Sequence, residues 1–338
     1  MMQTRVIKSF RTGLLAAVIL SICGLALAGR GFSPGEMLAI LGRFKPLYLG
    51  LAFVLSFGLW VAEAVRVQVI LDLLGEKMPF HLALTVALST AFALGVTPFG
   101  AGGPPVQTYL LTRYGISLDK SLTVAAVQAA WTLGFFLPVL PLALWLGFGH
   151  NPGEVGSLLL LGISWLLLLV LGVGWLLRYP RFIYLATVRL CRFVPGRLSR
   201  RRHSLARRVY HEVLLVSRTF ALMLSSKARG LIPVTLWTAV TWGCVFLNGP
   251  LLLEGIGIPA PWLQVVAQQI VIYFVISTIP LPGGSGLAEM GAALVFKPLL
   301  PSHFLGGFIA VWRFFTYYLQ IIIGGPVFWQ ALPRRSNP

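Results

Sequence analysis

Charged residues are scarce in this sequence: they make up 11% of its 338 residues, with 9 acids against 27 lysines and arginines. A soluble domain carries roughly 25% charged residues. The shortage, together with 57% hydrophobic residues and a mean hydropathy of +0.85, therefore excludes a soluble fold. The apolar runs are continuous and leucine-rich and lack the alternation of membrane β-strands, which excludes an outer-membrane barrel. The class that remains is an all-α polytopic membrane protein.

The sequence also lacks the motifs of several kinds of chemistry. Its three cysteines, Cys23, Cys191 and Cys244, have unrelated spacings, so neither a disulfide framework nor a metal site is predicted. It has no Gly-x₄-Gly-Lys-Ser/Thr loop, so we expect no nucleotide hydrolysis and no cofactor. The apolar runs hold only two acids and no cluster of histidines. We therefore expect no catalytic residues, and an intramembrane lipid enzyme is the least favoured alternative.

Long apolar runs are what the sequence offers instead. A membrane-spanning helix needs about 20 apolar residues. The first run follows a basic N-terminus and ends in an Ala-x-Ala-like sequence, which also fits a signal peptide, but its length favours an uncleaved helix. About six full transmembrane helices are predicted, near residues 12–29, 46–72, 121–148, 155–177, 231–253 and 303–331.

The distribution of basic residues predicts the orientation of these helices. Thirteen basic residues and one acid, Glu212, lie between Arg178 and Arg229, so 13 − 1 = +12 of the net charge of +18 is in one segment. Under the positive-inside rule this segment is cytoplasmic. Basic residues also flank both ends of the chain. We therefore expect a multi-pass protein of the bacterial-type cytoplasmic (inner) membrane with both termini in the cytoplasm.

Two further apolar stretches, Met78–Thr112 and Gly255–Phe296, must cross the membrane an even number of times to keep this orientation. The first is 35 residues long, too long for one span and too short for two with a turn. Each is therefore predicted to form a re-entrant helical hairpin, and the two hairpins enter from opposite faces in an inverted-repeat arrangement. The predicted organisation is a first membrane half at 1–177 with a cytoplasm-side hairpin at about 81–115, a basic cytoplasmic amphipathic segment at 178–229, and a second half at 230–338 with an outer-side hairpin at about 262–298.

Each stretch contains a break that is rich in proline and glycine. The first break runs from Gly95 to Pro105 and the second from Thr278 to Gly286. Proline lacks an amide donor and glycine loosens a helix, so the helix is expected to unwind. Half-helix N-termini bind anions, and paired breaks are typical of transporters. Glycine and proline that only pack or kink helices are the alternative. The break residues predicted to contact or gate a lipid head group are Thr97, Gly102, Gly103, Gly283, Gly284 and Ser285.

Ionisable residues within the apolar runs are candidates for function, because charge at membrane depth is costly. Glu63 and Arg66 lie three residues apart on one helix face, where a purely structural ion pair is equally expected. Glu289 follows the second break, where a carboxylate can bind a coupling cation, accept a proton or hold an arginine. Arg313 and Tyr317 lie together on the last helix. All five are predicted head-group or gating residues.

Uncharged polar residues and one further arginine extend this set. Gln107 and Arg113 lie on the second arm of the first hairpin and are predicted to contact the head group. Hydrogen bonding between helices is an equally good explanation for the glutamines of these runs. The other glutamines to which both explanations apply are Gln128, Gln264, Gln268 and Gln269.

Three parts of the sequence resemble the lysylphosphatidylglycerol synthase transmembrane family, also called flippase-like domain proteins. They are the run from Thr97 to Gly103 with the following Tyr109–Ser117, the run from Pro280 to Glu289, and Arg313 with its two tyrosines. The resemblance covers nearly the whole chain and implies a lipid-handling role, since the founding members move aminoacylated phosphatidylglycerol across the membrane. Because the chain ends soon after its last span, it resembles a stand-alone member without the aminoacyltransferase domain. Relatives of that kind are associated with glycolipid, isoprenoid-lipid or hopanoid pathways.

The sequence departs from this family at the first break. Many relatives have an acid just after the first Gly-Gly pair, whereas Pro104-Pro105-Val106-Gln107 stands here. A mechanism that needs a carboxylate in each half is therefore not expected for this chain.

The basic segment interleaves arginines with aromatic and aliphatic residues, as helices on an anionic membrane surface do. Its arginines either gather anionic lipids or only fix the orientation, and nucleic acid is not expected as a partner. The residues predicted to contact the membrane surface are Arg200, Arg201, Arg202, Arg207 and Arg208.

The function that these features favour is flippase-like translocation, or binding, of an anionic phospholipid, glycolipid or isoprenoid lipid at a cavity between the two hairpins. The expected partners are anionic membrane lipids. The alternative is a membrane protein that transports nothing and recruits a lipid- or glycan-modifying enzyme.

Overall fold

The structure is a computed structural model that describes residues 34–148, 228–277 and 281–332, with single residues between 13 and 23, 164 and 189, and 207 and 217. All regular elements in the described ranges are helical. The α-helices of the three continuous ranges are α1 (Pro34–Leu41), α2 (Pro46–Leu73), α3 (Phe80–Val96), α4 (Gly103–Arg113), α5 (Leu118–Phe148), α6 (Ile232–Phe246), α7 (Asn248–Gly255), α8 (Trp262–Ser277), α9 (Leu287–Phe296), α10 (Ser302–Arg313) and α11 (Leu319–Ala331).

Four helical segments of the described residues are long and apolar enough to cross a membrane. They are α2 with 28 residues, α5 with 31, α6 and α7 together with 24, and α10 through α11 with 30. At 1.5 Å per residue each exceeds the roughly 30 Å hydrocarbon core. These four match four of the six predicted spans, and they confirm an all-α polytopic membrane protein. The predicted helices near 12–29 and 155–177 lie outside the described residues, apart from single helical positions.

Four of the shorter helices, α3, α4, α8 and α9, form two helical hairpins. Helix α3 packs against α4, and α8 packs against α9. A short 3₁₀ turn lies between the two arms of each hairpin, Pro98–Gly100 in the first and Pro282–Gly284 in the second. The arms have 17 and 11 residues in the first hairpin and 16 and 10 in the second. The two turns lie within the proline- and glycine-rich breaks of the sequence, and entry of the hairpins from the two membrane faces stays a prediction.

Contacts at the helix ends show that the hairpins enter the bundle from opposite ends. At one end of the bundle, Arg113, the last residue of α4, donates to the carbonyl of Ala331, the last residue of α11. At the other end, the Lys45 amide before α2 donates to the Gly255 carbonyl at 2.9 Å. Gln268, in the first half of α8, donates to a carbonyl of the last turn of α5 at 3.0 Å. The first hairpin therefore opens where α11 ends, and the second opens where α2 begins.

The two breaks contact each other inside the bundle. They lie beside the midpoint of the last long segment, where α10 and α11 are joined by the π-helical turn Phe314–Tyr318. Tight packing rather than water exclusion holds helices together in a membrane. One buried core surrounds the first hairpin and another surrounds the second, including the fully buried Trp312 and Phe308. The two breaks thus lie between two well-packed cores.

Candidate functional site

The first break begins at Thr97, which ends α3 with extended backbone angles of φ −119° and ψ 145°. Phe99 and Gly100 follow with φ of 55° and 65° in the left-handed region. The Thr97 hydroxyl donates to the Ala93 carbonyl at 2.6 Å and accepts from the Gly102 amide at 2.8 Å. This side chain therefore satisfies two backbone groups that the unwinding of the helix frees.

The second break repeats this geometry between Leu281 and Gly286. Leu281 is extended, and Gly283, Gly284 and Gly286 have φ of 55°, 64° and 88°. A Cβ on Gly283 would overlap the ring of Tyr317, so the backbone approaches that ring as closely as only glycine permits. The start of the motif, Thr278–Pro280, lies outside the described residues.

Glu289 lies at the second break with none of its surface exposed. One carboxylate oxygen accepts from the Gly286 amide at 2.7 Å, and the other accepts from Nε of Arg313 at 2.9 Å. The first contact caps the N-terminus of α9, and the second is a buried ion pair. Of the three roles open to this carboxylate, the structure shows it holding an arginine.

Arg313 connects both sides of the second break. It is 3% exposed, and its terminal nitrogen donates to the Gly283 carbonyl at 3.3 Å. Its guanidinium carbon lies 4.2 Å from the centre of the Tyr317 ring, a cation–π contact. The Tyr317 hydroxyl then donates to the Gly95 carbonyl, in the last turn before the first break, at 2.9 Å. The second break is therefore fastened to the first through Arg313 and Tyr317.

Two hydroxyl groups complete the surroundings of the breaks. Ser285 is fully buried beside the Tyr317 hydroxyl, and its Oγ makes no hydrogen bond of normal geometry to any described residue. Ser56 on α2 lies 2.9 Å from the carbonyl of Phe315 in the π-helical turn and 3.0 Å from that of Ala52. Its single proton serves one carbonyl at a time, so Ser56 supports an irregular turn at the same depth as the breaks.

A second polar cluster lies in the first half of the bundle. Arg66, 5% exposed, donates to Glu63 at 2.9 Å and to the Thr238 hydroxyl at 3.3 Å. Gln128 donates to the same Glu63 oxygen at 3.2 Å, and Gln107 donates to Gln128. These groups form a continuous polar chain from α4 through α5 and α2 to α6. The chain combines the ion pair and the interhelical hydrogen bonds that the sequence leaves open.

The other predicted residues lie at several depths. Gly102 and Gly103 pack against Thr97 and Leu94 at the first break, where added Cβ atoms would lie 2.7 and 2.5 Å from those side chains. Arg113 lies at the open end of the first hairpin, away from both breaks. Arg207 is an exposed residue of a helix, and Arg200, Arg201, Arg202 and Arg208 lie outside the described residues.

The glutamines of α8 have separate surroundings. Gln269 donates to the Phe246 carbonyl at 2.9 Å and accepts from the Trp312 indole at 3.0 Å. Gln268 bonds to α5, and Gln264 is exposed. Interhelical hydrogen bonding therefore accounts for Gln268 and Gln269.

Three residues that the sequence reading did not select take part in the site. Gly95 contributes only its carbonyl, which no side-chain pattern indicates, and Ser56 resembles any small residue at a helix contact. Gly286 was readable in principle, because Glu289 follows it by three residues, which is the spacing of a capping box.

Comparison with known proteins identifies the family of this chain. The family model described as lysylphosphatidylglycerol synthase TM region matches residues 14–324. A relative, a UPF0104 membrane protein of Archaeoglobus fulgidus, is 25% identical over 290 residues, which cover 85% of this chain and 87% of the relative. The match includes both hairpins and the Glu289–Arg313 pair. The chain belongs to the lysylphosphatidylglycerol synthase transmembrane-region family.

Proposed function

We propose that this protein binds lipids with an anionic head group where its two helix breaks meet and moves them between the membrane leaflets. The observation that carries the proposal is the meeting of two breaks that enter the bundle from opposite ends. Irregular backbone at membrane depth is found where it is buried by protein or lines a cavity, and in transporters such half-helices form the substrate site. The name of the family adds a lipid context.

The charges near the breaks favour an anionic head group. Arg313 is the cation at the meeting point, and Arg66 lies within the polar chain that reaches α4 just after the first break. A guanidinium offers planar donors that suit phosphate. Both arginines are paired with an acid in this structure, so we assign Glu289 as the gating group at the breaks.

The proposal includes a topology and a role. We place both termini and the basic segment 178–229 in the cytoplasm of a bacterial-type inner membrane, with the first hairpin on that side and the second on the outer side. The two halves act as an inverted repeat, and the protein performs no covalent chemistry. A C-terminal fluorescent-protein fusion tests the orientation, because the fusion fluoresces when its end is cytoplasmic and stays dark when it is exported.

A lipid-scrambling assay tests transport. The purified protein is reconstituted into liposomes containing head-group-labelled phosphatidylglycerol or phosphatidylcholine, and dithionite bleaches the labels in the outer leaflet. We expect bleaching of phosphatidylglycerol to exceed that in empty vesicles. No excess for any anionic lipid would refute transport, and a stoichiometric enzyme purifying with the protein would then favour the recruiting role.

Matched glycine variants connect this assay to the breaks. Gly283→Ala alters the second break, where a Cβ meets Tyr317, whereas Gly134→Ala lies in α5 with nothing within 4 Å of the added Cβ. We expect the first to abolish scrambling and the second to preserve it. Equal scrambling by both variants would remove the breaks from the transport path.

A further inference from the structure

The carboxylate of Glu289 lies where a bound anion would lie. Its two oxygens are held by the amide that begins α9, at Gly286, and by the guanidinium of Arg313, at 2.7 and 2.9 Å. A helix N-terminal amide and an arginine are the donors with which proteins bind phosphate. The whole carboxylate is buried. In this state the chain therefore fills its own anion site.

The first break offers a poorer site for an anion. Its second helix, α4, begins Gly103-Pro104-Pro105, and the two prolines have no amide hydrogen. The next amide, that of Val106, donates to the Gly102 carbonyl. The helix N-terminal donor at the meeting point thus belongs to the second break.

The Ser285 hydroxyl indicates that the site is built for more than a carboxylate. This side chain precedes Gly286, is fully buried and lacks a hydrogen bond of normal geometry to the described residues. Leaving a buried hydroxyl unpaired costs roughly 1–3 kcal/mol. Neither carboxylate oxygen of Glu289 bonds to Ser285 in this structure, whereas a phosphate diester or monoester brings additional acceptor oxygens. A phosphate would give Ser285 the partner that Glu289 does not provide.

We propose that Glu289 is a built-in occupant of a phosphate site and exchanges with the phosphate group of the lipid. This inference rests on the proposed function. The incoming phosphate takes the donors of Arg313, Gly286 and Ser285, and Glu289 leaves them. A displaced carboxylate inside the bundle has lost its cation, so it takes one proton from water. Phosphate binding is therefore accompanied by uptake of one proton.

Among the described residues, no other group that faces Glu289 takes part in this exchange of protons. The titratable groups that face it among the described residues are Arg313 on α10, Tyr317 on the π-helical turn and Tyr273 on α8. Arginine keeps its charge at any ordinary pH, and tyrosine is neutral below about pH 10. Glu289 is the group that changes its charge.

Binding measurements on the purified full-length protein test this exchange without requiring transport. Thermal stabilisation in detergent reports binding of dihexanoyl phosphatidylglycerol, with dihexanoyl phosphatidylcholine as the lipid control, at pH 6 and pH 8. For the wild type we expect the affinity for phosphatidylglycerol to rise by up to tenfold for each pH unit of acidification, because one proton is bound with the lipid. Inorganic phosphate that competes with phosphatidylglycerol at one fixed pH shows that the phosphate group suffices, whereas a failure of inorganic phosphate to compete assigns the site to lipid.

Three variants sharpen the measurement. Glu289→Gln has no charge to displace, so it should bind phosphatidylglycerol more tightly than the wild type at pH 8 and with no pH dependence. Ser285→Ala should bind severalfold more weakly and keep the pH dependence. Glu76→Gln, at the open end of the first hairpin where Glu76 pairs with Lys120, is the matched control and should behave as the wild type.

The inference is overturned if wild-type affinity for phosphatidylglycerol is independent of pH or if no anionic probe binds. Direct measurement of proton uptake on the wild type in weak buffer keeps the test open should Glu289→Gln fail to fold: about one proton per bound lipid supports the exchange, and none refutes it. Scrambling with pH-independent binding would remove the exchange and leave the proposed function. Proton-linked binding without scrambling would do the reverse.

Discussion

The hydroxyl of Tyr317 donates a 2.9 Å hydrogen bond to the carbonyl of Gly95, and both groups are buried. Gly95 lies in the last turn of α3, where carbonyls have lost their partners in the helix because the chain unwinds at Thr97. Tyr317 lies one turn beyond Arg313 on the last long segment. A single bond therefore satisfies an acceptor freed by the first break and joins it to the residues that hold the second.

Removing this hydroxyl should loosen the contact between the breaks. Tyr317→Phe keeps the ring that lies over Arg313 but leaves the Gly95 carbonyl without its donor. We expect a loss of about 1–3 kcal/mol in stability, measured by thermal unfolding in detergent. Tyr109→Phe removes an exposed hydroxyl from α4 and is the matched control, for which we expect no change. Equal melting temperatures for the two variants would show that the bond contributes nothing.

The buried pair of Glu289 and Arg313 should behave as one unit. Arg313→Met leaves a buried carboxylate without its cation, which costs about 3–5 kcal/mol. Adding Glu289→Gln removes the orphaned charge, so the double variant should be more stable than Arg313→Met alone. Thermal unfolding of the four proteins of this cycle measures the coupling between the two residues.

The partly exposed pair of Lys120 and Glu76 is the matched comparison for this cycle. Its side chains are 31% and 32% exposed, and the coupling expected for such a pair is about 0–1 kcal/mol. A double variant of Arg313 and Glu289 that is less stable than Arg313→Met would show that Glu289 acts chiefly as the cap of α9.

The positions of the breaks were predictable because their causes are local. Pro98 lacks a backbone amide donor wherever it stands, and Gly283 and Gly284 adopt backbone angles that other residues avoid. Entry of one hairpin from the cytoplasmic face and of the other from the outer face follows from counting charges between spans, and it stays a prediction. These features need no knowledge of which helices touch.

The partners of the polar residues were not predictable to the same degree. Glu63 and Arg66 are three residues apart, so their pairing could be read from helical spacing. The Glu289–Arg313 pair spans 24 residues, and the bond from Tyr317 to Gly95 spans 222. Such contacts depend on how the bundle packs, and the carbonyl of a glycine carries no sequence signal at all.

The glycines of the second break should resist substitution for a reason that the glycines of ordinary helices do not share. Gly283→Ala places a Cβ on the Tyr317 ring and a side chain at φ 55°. The left-handed conformation alone costs roughly 1–2 kcal/mol, and the overlap adds to it. Gly243→Ala, in α6 with nothing within 4 Å, is the control and should be neutral or stabilising by about 1 kcal/mol. Melting temperatures that fall equally for both would contradict this account.

Gln107 is the first polar residue after the Gly-Gly pair of the first break, and the structure gives the consequence of placing an acid there. Gln107 donates to Gln128, which donates onward to Glu63, and Arg66 is the cation of this polar chain. In Gln107→Glu two carboxylates compete for one amide and one arginine, which we expect to cost about 1–3 kcal/mol at pH 8.

This cost should disappear on acidification. One of the two competing acids can take up a proton and then donate a hydrogen bond, so the variant should regain stability as the pH falls from 8 to 5. Gln107→Leu removes the same donor without adding charge, and its loss should be independent of pH in the same range. Melting temperatures of both variants at the two pH values, each compared with wild type, decide the matter. A Gln107→Glu protein that melts like the wild type at pH 8 would mean that the polar chain already has room and donors for a second carboxylate. The lack of a carboxylate at the first break would then not restrict the chemistry of this half.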